Sequence, residues 1–331
     1  MRFYKKTTLC FCLLISCNFF LVAQKNKPIA IIFDSDMGPD YDDVGAITLL
    51  HAFADSGYVK ILGTVASTKY QGVAAVFSVF NTYFGRPDLP VGVPKEKALE
   101  LRDWQHWTDT LLSKYPHKIK TNDDVPGATE VYRKVLSAQP NNSVTIVTTG
   151  FLTNLYYLMN SGPDKYSKLN GEELVRQKVK QLVCMAGRFP SGSEFNVNRD
   201  ALASQRVFNN WPTPVMLSGF EIGMKIRTGL PLVRNGSIKN SPVKDVFRIC
   251  LPMAAEDSAG RMSWDETAVL VAVKGYKPWY KIEGGKMVVA DDGSNSWINN
   301  PAIHNRLVEA ESPKVVEHLI NKTMMHQPTK K

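Results

Sequence analysis

The chain is expected to fold as an α/β protein, a single domain whose mostly parallel central sheet is flanked by helices. Three observations lead there. Apolar strand-like runs alternate with helix-like runs along most of the 331 residues, the order that builds a parallel sheet covered by helices. Polar clusters follow the strand-like runs at their carboxyl ends, where open α/β sheets hold ligands. No internal repeat, low-complexity tract or Pro/Gly/Ser linker divides the chain, so a single domain is expected.

The first segment reads as a leader. Residues 1–23 open with Arg2, Lys5 and Lys6, continue as an apolar stretch from Leu9 to Val22 and end at Ala23-Gln24, a secretory signal pattern. Cleavage after Ala23 is favoured; the alternative is a lipid anchor on Cys17, within Leu14-Ile15-Ser16-Cys17. Either way the protein is expected outside the cytosol, periplasmic or extracellular, as one domain over 24–331 with no stable membrane insertion once the leader is cut. Loss of the leader removes Cys10, Cys12 and Cys17 and leaves Cys184 and Cys250, which is no disulfide scaffold. Cys184, in the apolar run Gln181 to Met185, reads as a buried free thiol. The formal charge falls from +9 to +6 as Arg2, Lys5 and Lys6 depart. The remaining basic residues are scattered, which argues against a nucleic-acid partner.

Ile29 to Phe33 is apolar throughout and predicts a buried strand over 29–34. Further strands are expected over 59–65, 143–148, 179–185 and 213–217, each an apolar run of strand length. Helices are expected between them and beyond, over 43–56, 71–84, 126–138, 152–160, 199–209, 243–256 and 265–273. The first strand empties into aspartates, the third into Thr148-Thr149-Gly150 and the fourth into Ala186-Gly187. The stretch from Glu96 to Asn122, irregular and rich in Trp, His and Lys, reads as an excursion over the ligand face rather than as core.

The run Asp34-Ser35-Asp36-Met37-Gly38-Pro39-Asp40-Tyr41-Asp42-Asp43 holds five carboxylates in ten residues. Like charges this close raise one another's pKa values unless a cation or hydrogen bonds compensate. A divalent metal is the economical compensation. Oxygen ligands without a His in the cluster suit Ca²⁺ or Mg²⁺ rather than zinc. A solvated helix cap would need one Asp, not five.

Three later motifs accompany the aspartates: Val147-Thr148-Thr149-Gly150-Phe151-Leu152-Thr153-Asn154-Leu155, then Glu194-Phe195-Asn196-Val197 with Asp200, then Ser263-Trp264-Asp265-Glu266-Thr267-Ala268. In this order, across residues 29–273, the four resemble the inosine-uridine-preferring nucleoside hydrolase family. The resemblance implies a single α/β domain around a mainly parallel sheet, and hydrolysis of the N-glycosidic bond of a small-molecule ribonucleoside with a tightly held Ca²⁺, in preference to Mg²⁺. It makes Asp36 a metal ligand that also takes a proton from the attacking water, Asp43 a second carboxylate ligand, and Asp42 a ribose contact and further ligand. Thr149 would ligate through its carbonyl, with its side chain unimportant, and Asp265 would close the shell. Glu194 and Asn196 would hold ribose hydroxyls. A homo-oligomer is left open.

The sequence departs from the family pattern in three places. Its acidic loop is two residues longer, so Asp40 is extra and either Asp40 or Asp42 meets the ribose. Val65-Ala66-Ser67-Thr68 replaces a Gly-Asn that touches substrate in many members, with Ser67 or Thr68 as stand-ins. Trp264 replaces a His that protonates the leaving base, which resembles the purine-preferring branch, where aromatic stacking takes over. Trp104 or Trp107 is then the expected second stacking partner, and His106 an alternative proton donor. Two other readings stay open: Asp34-Ser35-Asp36 after an apolar strand also resembles haloacid-dehalogenase-type phosphatases, and the altered substrate positions would suit a secreted nucleoside- or sugar-binding protein without catalysis.

Overall fold

A computed structural model describes residues 27–328; the leader-like residues 1–23 lie outside it. Its strands are β1 (Ile29–Ser35), β2 (Val59–Ala66), β3 (Val91–Gly92), β4 (Val144–Thr148), β5 (Val179–Met185), β6 (Ser191–Ser193), β7 (Val215–Ser218), β8 (Arg227–Thr228), β9 (Arg261–Met262), β10 (Tyr280–Val289), β11 (Ser294–Ile298) and β12 (His304–Glu309). Ten of them form one sheet in the order β3-β2-β1-β4-β5-β7-β12-β10-β11-β6, while β8 and β9 pair separately. The first seven of that order run parallel, and β10, β11 and β6 extend the sheet antiparallel.

Side-chain alternation along each inner strand feeds two cores. Ile31 and Phe33 of β1, with Val183 and Met185 of β5, enter one apolar cluster. Ile32, with Leu182 and Cys184, enters the other. Both faces are buried, which is why these strands read as unbroken apolar runs. Helices Asp42–Asp55, Val73–Tyr83 and Trp264–Lys274 cover the first face, and Ala128–Ser137, Thr153–Asn160 and Ala201–Asn210 the second. Cys184 and Cys250 are buried free thiols that belong to opposite cores.

The five expected strands and seven expected helices all form, with shifts of a residue or two, except that the helix over 243–256 spans only Pro242–Cys250 before two 3₁₀ turns. Pro252, which lacks an N–H to continue the i to i−4 ladder, falls in the first of those turns, Leu251–Met253. The stretch 96–122 is not all excursion. Asp103 receives the Thr108 amide at 3.0 Å and its hydroxyl at 2.6 Å, which fixes the start of a helix over Trp107–Lys114 and sinks Trp107 and Leu111 completely into the core.

The chain reverses its direction of growth between β1 and β4, since β2 and β3 build outward on one side of β1 and β4 and β5 on the other. Such a switch point opens a crevice at the carboxyl ends of the two strands. Two glycines let the backbones close around it. A Cβ on Gly150 would stand 2.5 Å from the Asp36 nitrogen and 2.3 Å from Ser67 Oγ, and one on Gly45 would stand 2.0 Å from Glu266 Oε1. We expect Gly150→Ala to lower unfolding free energy by about 1–3 kcal/mol, the usual cost of overpacking. The control Gly162→Ala, with nothing within 4 Å, is expected to stay within about 0.5 kcal/mol. Urea unfolding of the two variants checks this.

Candidate active site

The acidic loop leaves β1 at Ser35 and returns as the helix starting at Asp42. Met37, fully buried, holds a left-handed φ of 36°. A non-glycine residue tolerates that only when its surroundings impose it. Here Ser35 Oγ accepts the Met37 amide at 3.1 Å, and the Tyr70 hydroxyl donates to the Met37 carbonyl at 2.8 Å. The loop thereby aims Asp36, Asp40, Asp42 and Asp43 at one place.

Each carboxylate has a distinct setting. Asp34 is structural: it accepts from the Tyr132 hydroxyl at 2.8 Å and from Asn154 Nδ2 at 3.1 Å, and burial pushes its pKa up to about 7. Burial first, then the Asp43 and Asp40 charges, hold Asp36 well above the usual carboxylate range. Asp43 Oδ1 accepts from the Ser35 and Thr149 hydroxyls. Its Oδ2 is buried with no partner, and burial with the Asp42 charge raises it to about 6. Asp42 Oδ2 receives the amides of Trp264 and Asp265 at 3.2 and 3.3 Å, so it caps the helix that carries Asp265. Burial, then Asp42 and Asp43, pushes Asp265 well up.

One carboxylate oxygen from each of Asp40, Asp42 and Asp265 lies within 4.8 Å of the others, so the extra Asp40 belongs to the cluster. Three features fit a hard cation: an all-oxygen donor set, mutual charge that raises the pKa values, and an orphaned buried oxygen on Asp43. Of the expected ligands, Asp42 and Asp265 are in this triad, with Asp40 beside them in place of Asp36, Asp43 and the Thr149 carbonyl. Thr149 also acts through its side chain, contrary to expectation, since its hydroxyl orients Asp43 at 3.1 Å.

Glu194 is buried, not a surface loop carboxylate. It caps the short helix Phe195–Arg199, taking the Asn196 amide at 2.8 Å on Oε1 and those of Gly187 and Val197 at 3.1 and 3.2 Å on Oε2. Burial raises its pKa against those amides. Asn196 donates to the Thr149 carbonyl at 3.2 Å, tying the Glu194 loop to the end of β4.

A cavity of about 260 Å³ opens over the cluster, lined by Asp36, Asp40, Thr149, Glu194, Asn196 and Asp265 with Trp264, Phe195 and Phe220. The Trp264 indole donates to the Phe220 carbonyl at 2.8 Å, and the two rings lie 5.1 Å apart, tilted by 33°. Trp104 and Trp107 do not reach this cavity: Trp104 is 57% exposed elsewhere and Trp107 is core. The aromatic neighbours of Trp264 in the cavity are instead Phe195, inside the Glu194 motif, and Phe220, which belongs to none of the motifs. His106 is exposed and pairs with Asp109 at 3.3 Å. Ser67 and Thr68 are buried and occupied, Ser67 with the Phe151 amide at 3.0 Å and Thr68 with the Leu99 carbonyl at 2.9 Å; neither lines the cavity.

Sequence reasoning missed Arg261. From β9 it reaches Asp40 at 2.6 Å and Asp42 at 2.8 and 3.0 Å, with its guanidinium 5.0 Å from the Tyr41 ring centre and 5.1 Å from that of Trp264. Its position three residues before Trp264 was the available signal.

Residues 31–317 match the sequence pattern of the inosine-uridine preferring nucleoside hydrolase family. The pyrimidine-specific ribonucleoside hydrolase RihA of Salmonella enteritidis PT4 is 28% identical over 208 residues, 60% of this chain and 62% of that protein. RihA of Citrobacter koseri is 27% identical over 206 residues, with the same coverage. The chain thus spans 62% of the length of the curated relatives it matches. Among solved structures, the plant nucleoside hydrolase PpNRh1 superposes with a TM-score of 0.70 at 18% identity, over 90% of this chain and 99% of that one. A purine-preferring ribonucleoside hydrolase from Gardnerella vaginalis gives 0.69 at 16%, over 89% and 98%. At such identities these two share the fold. The match over residues 31–317 carries more: this chain belongs to the inosine-uridine preferring nucleoside hydrolase family.

Proposed function

We propose that the chain hydrolyses the N-glycosidic bond of ribonucleosides, purines ahead of pyrimidines, to free base and ribose, with Ca²⁺ preferred over Mg²⁺. The observation that carries this is the unpartnered Asp43 oxygen within a ring of buried carboxylates, at the switch point of the sheet. The same reading has the chain exported, on the strength of the leader-like residues 1–23.

A bound divalent cation would lower the pKa of a coordinated water and grip the ribose diol. Asp36, ionised once a cation offsets its neighbours, accepts the proton as water adds to C1′ and the C1′–N electron pair leaves with the base. Glu194 and Asn196, locked by backbone amides and by the Thr149 carbonyl, orient the ribose hydroxyls. Arg261 holds Asp42 in place. Among the described residues lining the cavity there is no His, Lys, Tyr or Cys, and the indole N–H of Trp264 is already committed. Glu256, which also lines the cavity, and solvent are the proton sources left for the base as it packs against the aromatic wall.

Asp36→Asn is expected to lower kcat about 10²–10⁴-fold, the range of a lost general base, with an unchanged circular dichroism spectrum; near-wild-type turnover would refute the assignment. In thermal and urea unfolding at neutral pH, Ca²⁺ at a hundred times its Kd should stabilise the protein by about 2.7 kcal/mol. Asp43→Asn should abolish most of that gain, and a calcium response that survives the substitution would remove Asp43 from the ligand set. For Trp264→Ala, stacking of about 1–3 kcal/mol should be lost, more from inosine than from uridine kcat/KM. Equal losses would make Trp264 a packing residue.

A further inference from the structure

The rim of the cavity carries an acid that the metal cluster and the ribose contacts leave unused. Of the carboxylates lining the cavity, Asp36, Asp40 and Asp265 belong to the acidic cluster, and Glu194 is taken up by backbone amides. Glu256 lines it too, from the 3₁₀ turn Ala255–Asp257. No described residue ion-pairs or hydrogen-bonds with its carboxylate. It is exposed, whereas Asp36, Thr149, Glu194, Asn196 and Asp265 are buried, so Glu256 stands at the outer end of the cavity. Its backbone is fixed. Arg227 Nη1 donates to the carbonyls of Glu256 at 2.8 Å and Gly260 at 3.2 Å, closing the turn between them. Gly260 holds a φ of 111° where a Cβ would stand 2.8 Å from the Thr228 carbonyl oxygen, and the neighbouring Asp257, buried, accepts the Tyr41 hydroxyl at 2.5 Å.

Arg261, on the same stretch of chain, lines the same cavity. Its Nε and Nη2 donate to Asp42 and Asp40, while Nη1 makes no hydrogen bond to a described residue, the Asp257 carboxylate lying 3.9 Å off. The rim therefore offers a carboxylate, which when ionised only accepts, beside guanidinium N–H donors that are still free. With the ribose at the buried floor beside Glu194 and Asn196, a base extends outward along Trp264 and Phe220 to this rim. A 6-oxopurine presents a matching edge there: N1–H donates and the adjacent O6 accepts. A 6-aminopurine presents the reverse, a lone pair on N1 and N–H donors at C6, which would set acceptor against acceptor and donor against donor.

We propose that Glu256 and Arg261 read the outer edge of the base and make this chain selective for 6-oxopurine ribosides, inosine and guanosine, over adenosine. The inference rests on the proposed ribosidase reading and deepens it from purines to one class of purine. Glu256 accepts from N1–H, and in guanosine from the 2-amino group as well, while Arg261 Nη1 donates to O6. With Glu256 on the N1 edge, N7 takes its proton from solvent.

Calorimetry on Asp36→Asn protein with Ca²⁺ present tests this without turnover, using guanosine, inosine, adenosine and 1-methylinosine. Guanosine and inosine should bind about tenfold or more tightly than adenosine, as a well-matched charge-assisted contact to a base edge provides. 1-Methylinosine, which lacks the N1 proton, should fall to the adenosine level or below. In the same background Glu256→Ala should remove the ranking, and Glu256→Gln, whose amide donates to a bare N1, should shift it toward adenosine; the two variants guard against misfolding of either one. The kcat/KM values of the wild type should follow the order of binding. Adenosine or 1-methylinosine binding as tightly as guanosine, or a ranking that outlasts both substitutions, would overturn the proposal. Binding of none of the four, or no base released by the wild type, would instead count against the ribosidase reading.

Discussion

The architecture around the carboxyl end of β1 is organised by one constraint, the crowding of negative charge in a place shielded from water. At an effective dielectric of about 20, two unit charges 4 Å apart cost roughly 4 kcal/mol, and the cluster holds several such pairs. The protein meets most of this with fixed dipoles. The helices starting at Asp42 and Trp264 both direct their amino ends at the cluster, and their first turns carry Asp42, Asp43 and Asp265. Anions are favoured there. The Ser35 and Thr149 hydroxyls serve one oxygen of Asp43, and Arg261 serves Asp40 and Asp42. What remains is an unbalanced charge with carboxylate oxygens left unserved, Asp43 Oδ2 completely buried among them, a setting that suits a hard cation.

Two departures from the family pattern turn out to be one feature. The longer acidic loop supplies Asp40, and the late motif supplies Trp264 where a His is common. Arg261 touches both, pairing with the first and lying over the ring of the second. It also spans the Tyr41 ring, so the lengthened loop and the helix that carries Asp265 are fastened by a single buried guanidinium. Replacing either partner alone would leave part of that group unsatisfied, and breaking a buried charge pair from one side is expensive, about 3–5 kcal/mol. The loop length and the tryptophan are therefore best regarded as coupled.

Legibility in the sequence followed burial. β1, β4 and β5 are covered on both faces over Ile31–Phe33, Ile146–Val147 and Leu182–Met185, and these consecutive apolar residues announce themselves. β10 is half exposed, carries Lys281 and Glu283, and is broken by Gly284-Gly285, so neither alternation nor an apolar run betrays it. The metal-site acids were readable because charge density alone demands an explanation. Arg261 was not, because its partners lie 219 and 221 positions away and a lone arginine carries no pattern. Trp104 and Trp107 show the limit most plainly. They are the same residue three positions apart, and only the helix that starts at Trp107 decides that one is core and the other exposed.

Glu266 closes the account of charge. It sits beside Asp265, fully buried, with Oε2 unpartnered and Oε1 pressed into the space that Gly45 leaves open. A further anion here would make the cluster harder to sustain. Burial, reinforced by the Asp42 charge, pushes its pKa well up, and its side chain fills volume between two helices. Asp34, on the other side of the loop, follows the same logic with its pKa near 7. Gly45 matters for that reason, since any side chain there would drive Glu266 out of its slot and separate the two helices whose amino ends make the site.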